Sequence, residues 1–324
     1  MPGPQTMNSP ESESRPQVWA VGGGKGGTGK SLVAASLGIH LAERGRRVIL
    51  IDGDLGAPNL HTFLGLDPPP VALYDFIARR VPSLEDAAVP TAVPGLRIIS
   101  GARNALGADG VKHFQKTRLL RLLLALPADI VLVDLGAGTS LNVLDFFSIV
   151  DRGLLVILPE PTSVENCYRF LQAAYLRRLQ HLCRILGHQE LLDLVVRHRD
   201  TARSGSPVEI LEEIDRVDSG AAARLAGHLL EFVPRLIVNQ VCDREDILLG
   251  DSIQVASERF LRIPLQFSGA VPFDPALVRC VKSRRPFLLD HPRSRTAAAL
   301  REAAETAARE GGAAVPGATA SGWA

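Results

Sequence analysis

Lysine is scarce in this chain. Of 36 lysines and arginines in 324 residues only five are lysine, namely Lys25, Lys30, Lys112, Lys116 and Lys282, so each survives in a composition that favours arginine almost everywhere else. Cysteine is rarer still: Cys167, Cys183, Cys242 and Cys280 stand far apart without a Cys-x-x-Cys pair. That spacing suggests neither a disulfide framework nor a local metal site, and it excludes an iron–sulfur carrier. Aromatic residues make up 5% of the chain, and three tyrosines, Tyr74, Tyr168 and Tyr175, exclude a tyrosine-rich regulatory tail. The net charge of +1 gives no bulk attraction to nucleic acid. Apolar runs such as Ile130 to Val133 and Leu154 to Leu158 are only strand-length, and the first residues carry Glu11 and Glu13 in place of a basic and then apolar leader. A soluble, cytoplasmic protein is expected.

Two of the five lysines fall in one decapeptide, Gly22 to Ser31, which reads Gly-Gly-Gly-Lys-Gly-Gly-Thr-Gly-Lys-Ser. Gly24, four intervening residues and then Gly29-Lys30-Ser31 fit the nucleoside-triphosphate loop. In that loop the backbone N–H groups of Gly26, Gly27, Thr28 and Gly29 close around phosphate oxygens, Lys30 adds charge and the Ser31 hydroxyl binds Mg²⁺. A compact ammonium on a thin stem fits between phosphates where a planar guanidinium does not. Apolar Val18 to Val21 precede the loop as a strand, and Leu32, Val33, Ala35, Leu37, Ile39 and Leu41 follow as a helix ending near Gly45, which is the setting the motif needs. Lys25 has no part in that minimal loop.

Strand-like segments at Val18–Val21, Val48–Ile51, Leu96–Ile99, Ile130–Val133, Leu154–Leu158, Leu236–Val238 and Leu265–Val271 mostly alternate with helical stretches. The pattern predicts an α/β fold of three layers, a mostly parallel twisted sheet covered on both faces. Residues 1–16 and 311–324 read as disordered tails around a domain at 17–310. A helical insertion of about 177–232 precedes a late strand. Within it, Ser206-Pro207-Val208-Glu209 forms a capping box ahead of Ile210, Leu211, Ile214 and Val217, and a further helix starts at Asp218 or Ser219 with Leu225, Leu229 and Phe232. The insertion is either an elaborated helical layer or a docking surface for a protein partner.

Two strands end in aspartates. Val48 to Ile51 leads into Asp52-Gly53-Asp54, and Ile130 to Val133 leads into Asp134-Leu135-Gly136-Ala137-Gly138-Thr139, so both deliver carboxylates to the edge where parallel sheets bind ligands. Alone, Asp52 and Asp54 would read as a solvated turn; the phosphate loop upstream makes them site residues.

Lys25-Gly-Gly-x-Gly-Lys30-Ser31, with the aspartate segments, Pro159-Glu160-Pro161-Thr162-Ser163 and Arg284-Arg285-Pro286-Phe287, resembles the MinD/ParA family of deviant Walker A ATPases, and most of all its flagellar FlhG/FleN branch. The resemblance implies a Mg²⁺- and ATP-dependent ATPase with slow intrinsic turnover. Lys25 would reach the partner's nucleotide in an ATP-bound homodimer, Asp54 would hold the attacking water, and Asp52 and Asp134 would hold Mg²⁺ through water. Gly136 and Gly138 would let a switch move near the γ-phosphate, Asn239 would read adenine and the loop at Pro272 would cover the ring. The function implied is a switch that organises or regulates a cellular machine of the motility, polarity or division type, recruited to a pole or to the inner membrane face. The alternatives are a nucleotide-gated restraint on a transcription activator and a ParA-like, DNA-associated partitioning ATPase. The apolar stripe of the helix at Ala297–Glu310, Leu300, Ala303, Ala304, Ala307 and Ala308, is mostly alanine, so packing on the domain is favoured over membrane binding. Arg279, Lys282, Arg284, Arg285, Arg293 and Arg295 form a basic cluster for which a solvated helix end is favoured over DNA.

Overall fold

Alternate residues of the first strand serve two different cores: Val18 and Ala20 join one apolar cluster, Trp19 and Val21 the other. That is the side-chain period of two in a sheet buried on both faces. The computed structural model describes residues 15–54, 58–101, 121–200 and 207–309, with no side chains described at 197–200. Of the expected tails at 1–16 and 311–324, residues 1–14 and 311–324 lie outside the described residues, as does Ser206 of the capping box. Arg15 is already anchored, its guanidinium making two hydrogen bonds of 2.8 and 2.9 Å to Asp151.

In chain order the elements are β1 (Gln17–Gly22), α1 (Lys30–Glu43), β2 (Val48–Asp52), α2 (Leu60–Phe63), α3 (Leu73–Ile77), β3 (Val89–Pro90), β4 (Leu96–Ile99), β5 (Ile130–Asp134), α4 (Leu141–Phe147) and β6 (Arg152–Ile157). They continue with α5 (Pro161–Ile185), α6 (Gln189–Asp200), α7 (Pro207–Val217), α8 (Ser219–Leu230), β7 (Arg235–Val241), α9 (Arg244–Ala256), β8 (Gln266–Pro272), α10 (Pro275–Ser283), α11 (Phe287–Asp290) and α12 (Arg295–Ala308). The eight strands lie in the order β3-β4-β2-β5-β1-β6-β7-β8. All pairings are parallel except β3 with β4. The expected α/β architecture is therefore present. The unexpected antiparallel β3 is a two-residue edge strand containing Pro90, too short to leave a periodic signal and placed where a missing N–H costs little.

The helical insertion joins β6 to β7 through four helices, and its first part is continuous with the ordinary crossover: α5 runs unbroken for 25 residues. Ile210, Ile214, Leu225, Leu229 and Phe232 are buried as the stripes predict, but Val217 is 68% exposed and Phe232 lies beyond the end of α8. Val217 closes α7 and turns out of the layer because the chain reverses at once into Asp218, whose carboxylate caps α8 by accepting from Ala221 N.

At the other end of the chain, Ala297, Leu300, Ala303, Ala304 and Ala307 of α12 are all fully buried. They share one core with Ala34, Leu37 and Leu41 of α1. Small side chains let α12 lie close: a Cβ at Gly269 of β8 would sit 3.3 Å from Ala303 Cβ. Among the described residues no helix is long and apolar enough to cross a membrane.

Leu300 is the one large side chain on that face. Leu300→Ala is expected to destabilise the protein by about 2–5 kcal/mol, whereas Val217→Ala should stay within about 0.5 kcal/mol. Equilibrium urea unfolding checks both.

Candidate functional site

The helix that leaves the phosphate loop has an unusual start. α1 begins at Lys30 after Gly29, with no side chain capping its first N–H groups and no acidic residue in its first turn. Elsewhere Asp218, Asp243, Asp274 and Ser294 cap α8, α9, α10 and α12. Uncapped N–H groups and the positive end of the helix dipole remain available to an anion.

The glycines of the loop are fixed by space as well as by backbone angle. Gly27 and Gly29 have φ of 78° and 90°, in the left-handed region. A Cβ at Gly24 would lie 2.5 Å from Asn166 O, and one at Gly29 would lie 2.2 Å from Asn239 Nδ2. Gly26 and Gly27 face solvent at the loop's crown. The Lys30 ammonium folds back to donate to Lys25 O at 3.3 Å, and the residue as a whole is 8% exposed. Burial lowers its pKa, while Asp134 and Asp54 act in the opposite direction.

Below the loop, parallel register sets Asp52 of β2 directly beside Asp134 of β5, and Asp134 beside Val21 of β1. Both carboxylates are buried, at 1% and 3% exposure. Asp52 accepts from Leu60 N at 3.0 Å and from Asp54 N at 3.2 Å. Burial raises its pKa to about 6 in spite of those bonds. Burial likewise raises Asp134 to about 7; a hydrogen bond with Ser31 and the charge of Lys30 oppose the shift, and Asp52 and Asp54 add to it. Asp134 Oδ1 is buried and has no hydrogen-bond partner among the described residues.

Three carboxylates brought together with an orphaned oxygen suit a hydrated divalent cation, because Mg²⁺ keeps several waters and takes few direct ligands. The donor set of Ser31, Asp52 and Asp134 fits Mg²⁺, and the open loop fits a polyphosphate. Asp54 reaches across to the second aspartate segment, where a Cβ on Gly136 would lie 3.6 Å from its Cγ. Gly138 has φ of 90°, and its N–H donates to Gly23 O at 3.2 Å, tying that segment to the phosphate loop.

Three placements differ from, or add to, the sequence reading. Asn239 sits within β7, which runs on to Val241, and not at a strand end; its Nδ2 donates to Thr28 O at 2.8 Å, so it braces the loop from beneath. Its Oδ1 and Thr28 Oγ1 are buried without hydrogen-bond partners among the described residues. Pro272 closes β8 and lines a groove of ≈ 670 Å³ with Val241, Asp243, Phe273 and Asp274. Lys25 makes a hydrogen-bonded ion pair of 2.7 Å with Glu160 and reaches Thr162 Oγ1 at 3.3 Å. Glu160 was the residue missed in assigning roles, although it follows β6 at the same carboxyl edge as the aspartates.

The profile of the CobQ/CobB/MinD/ParA nucleotide binding domain matches residues 19–287. The chain belongs to this family. The antiactivator FleN of Pseudomonas aeruginosa is 27% identical over 292 residues, covering 89% of this chain and 85% of FleN, in line with the FleN-like resemblance. The septum site-determining protein MinD of Synechocystis sp. is 28% identical over 156 residues, 48% of this chain and 58% of that one. Among solved structures, the septum site-determining protein MinD complexed with Mg-ADP from Pyrococcus horikoshii OT3 matches with a TM-score of 0.63 at 22% identity, over 90% of this chain and 96% of that chain. At that identity the likeness shows the shared fold. The chain is thus a P-loop nucleotide-binding protein of the MinD/ParA family.

The raised pKa values have a consequence for stability. Asp52 and Asp134 hold protons more tightly folded than unfolded, so the nucleotide-free protein loses stability as pH rises from about 4 through about 7. Asp134→Asn removes the buried charge and should raise the melting temperature of the nucleotide-free protein at pH 8 by about 2–4 °C, with a smaller rise at pH 5. Calorimetric melting at the two pH values checks this, and a variant less stable than wild type at pH 8 contradicts it.

Proposed function

We propose that this protein is a Mg²⁺- and ATP-dependent dimerising switch, an ATPase of slow intrinsic turnover that organises or regulates another cellular machine. The observation that carries the reading is the division of labour between the two loop lysines. Lys30 is buried at the start of α1 and faces the chain's own phosphate site, whereas Lys25 stands partly exposed and is held only at the surface by Glu160 and Thr162. With side chains 38% and 50% exposed, that ion pair is worth no more than about 1 kcal/mol. Releasing Lys25 to the phosphates of a second copy therefore costs little.

Bound Mg²⁺ would offset charge on the transferring phosphoryl group. The chain's own residues do the rest: the loop N–H groups and Lys30 position the phosphates, Asp52, Asp134 and Ser31 order the hydrated cation, and Asp54 orients a water. The closeness of Asp54 to Gly136, where an added Cβ would lie 3.6 Å from Asp54 Cγ, supports coupling between the two segments that would sense the γ-phosphate, and loss of that phosphate would then be felt at α4.

The FleN relative, named an antiactivator, favours a second reading, in which the nucleotide-bound form restrains a transcription activator and hydrolysis only resets it. The helices between β6 and β7 offer the surface for such a protein partner. Membrane recruitment through α12 is not favoured, since its apolar face is occupied by the domain. DNA binding through the basic cluster is not favoured either, because Arg284 and Arg285 are engaged by Asp67 and Asp290.

Three variants test the assignment. Lys30→Ala should abolish nucleotide binding. Lys25→Ala should keep binding within about threefold and lose the ATP-dependent dimer, and Asp54→Ala should keep both while turnover falls at least about tenfold. Light scattering with Mg-ATP and steady-state phosphate release read these outcomes; a Lys25→Ala dimer as strong as wild type sinks the reading. If Asp54→Ala still restrains its partner, the second reading gains over a cycling organiser.

A further inference from the structure

Away from the phosphate loop, α10 and α11 are joined by a sharp reversal. Arg284 closes α10 in the left-handed conformation, with φ of 51°, and Pro286 starts the next turn. This reversal brings three side chains of different chemistry together: Cys280 on α10, Asp290 at the end of α11 and His291 immediately after it. Cys280 Sγ lies 3.5 Å from Asp290 Oδ2, and His291 Nε2 lies 3.6 Å from the same oxygen. One ligand atom from each falls within 4.8 Å of the others.

We propose that Cys280, Asp290 and His291 form a binding site for a borderline-soft divalent cation of the zinc class, separate from the nucleotide site. Metal–ligand lengths of about 2.3 Å to sulfur and about 2.0 Å to oxygen or nitrogen, set at the tetrahedral angle, put ligand atoms about 3.3–3.5 Å apart. The two separations to Asp290 Oδ2 are already close to those edges. The set also selects its metal: thiolate and imidazole suit Zn²⁺ over Mg²⁺ or Ca²⁺, which prefer oxygen.

Burial is graded as a site of this kind needs. Cys280 is 2% exposed, while the side chains of Asp290 and His291 are 30% and 38% exposed, leaving one side open for entry and for a water as fourth ligand. The other carboxylate oxygen, Asp290 Oδ1, accepts from Arg285 Nη1 at 3.2 Å, which orients Oδ2 toward Cys280 and His291. On binding, the thiol gives up the proton it now donates to Asp290, and thiolate plus carboxylate balance the two positive charges. The cation would tie α10 to the end of α11 across the turn at Arg284 and Pro286, which packs on Gly65 beyond the first aspartate segment.

The full chain, stripped of metal, is titrated with Co²⁺ in the absence of nucleotide while sulfur-to-cobalt charge transfer is followed, and Zn²⁺ is then added in competition. The expected result is one equivalent of Co²⁺ with a charge-transfer band, displaced by Zn²⁺. Affinity should fall at least about tenfold in Cys280→Ser and in His291→Ala and be unchanged in Cys242→Ser. Zn²⁺ should also raise the melting temperature of wild type and not of Cys280→Ser. His291 lies at the surface, so its variant tests ligation without touching the core. No band in the wild type, a band that survives Cys280→Ser, or His291→Ala binding as tightly as wild type overturns the proposal.

Discussion

Two aspartates buried side by side are the constraint from which the rest of the structure follows. Parallel pairing of β2 with β5 sets Asp52 against Asp134, and burial makes each hold its proton well above the ordinary carboxylate range. Such an arrangement opposes folding at neutral pH, and it persists because the surroundings are built to answer it: the Lys30 ammonium, the Ser31 hydroxyl, and backbone N–H groups from Asp54 and Leu60. What the described residues leave unanswered, Asp134 Oδ1 and the open N–H groups of α1, matches a hydrated cation and a polyphosphate. Strain of this sort is expected at functional sites, where local rules are broken for binding.

From that centre a physical path leads into the helical layer. Ser140, two residues beyond Gly138, caps α4 by accepting from Val143 N. Asp145 on the same helix is gripped by Arg177 of α5, whose Nε donates to Asp145 Oδ1 at 2.8 Å. Burial would raise the pKa of Asp145, but His181 and Arg177 outweigh it and hold the carboxyl down to about 2. The proposed switch segment is thus linked through α4 to a 25-residue helix that ends among the inserted helices.

The phosphate loop and the aspartates were legible in the sequence because their chemistry is local: fixed spacing in a loop, and charge at the end of an apolar strand. Fold class was legible for the same reason, since uninterrupted apolar strands alternating with helices permit few arrangements. Tertiary contacts were not. Nothing in the residues around Asn239 says that it sits under Thr28, and nothing around Glu160 says that it pairs with a lysine 135 positions earlier. Val217 continued a helical stripe in the sequence yet lies outside the core, because a stripe cannot show where the layer it packs on stops. Cys280, Asp290 and His291 follow no familiar spacing, and only the reversal at Arg284 brings them together.

The claim that the buried carboxylates await a cation is tested most directly by counting protons. Mg-ADP titrated into the chain at pH 6.5, in buffers of different ionisation enthalpy, gives the number released on binding. With Asp134 near 7 and Asp52 near 6, about one proton should leave per nucleotide bound, and Asp134→Asn should abolish most of that release. Tight binding without proton release would contradict the account.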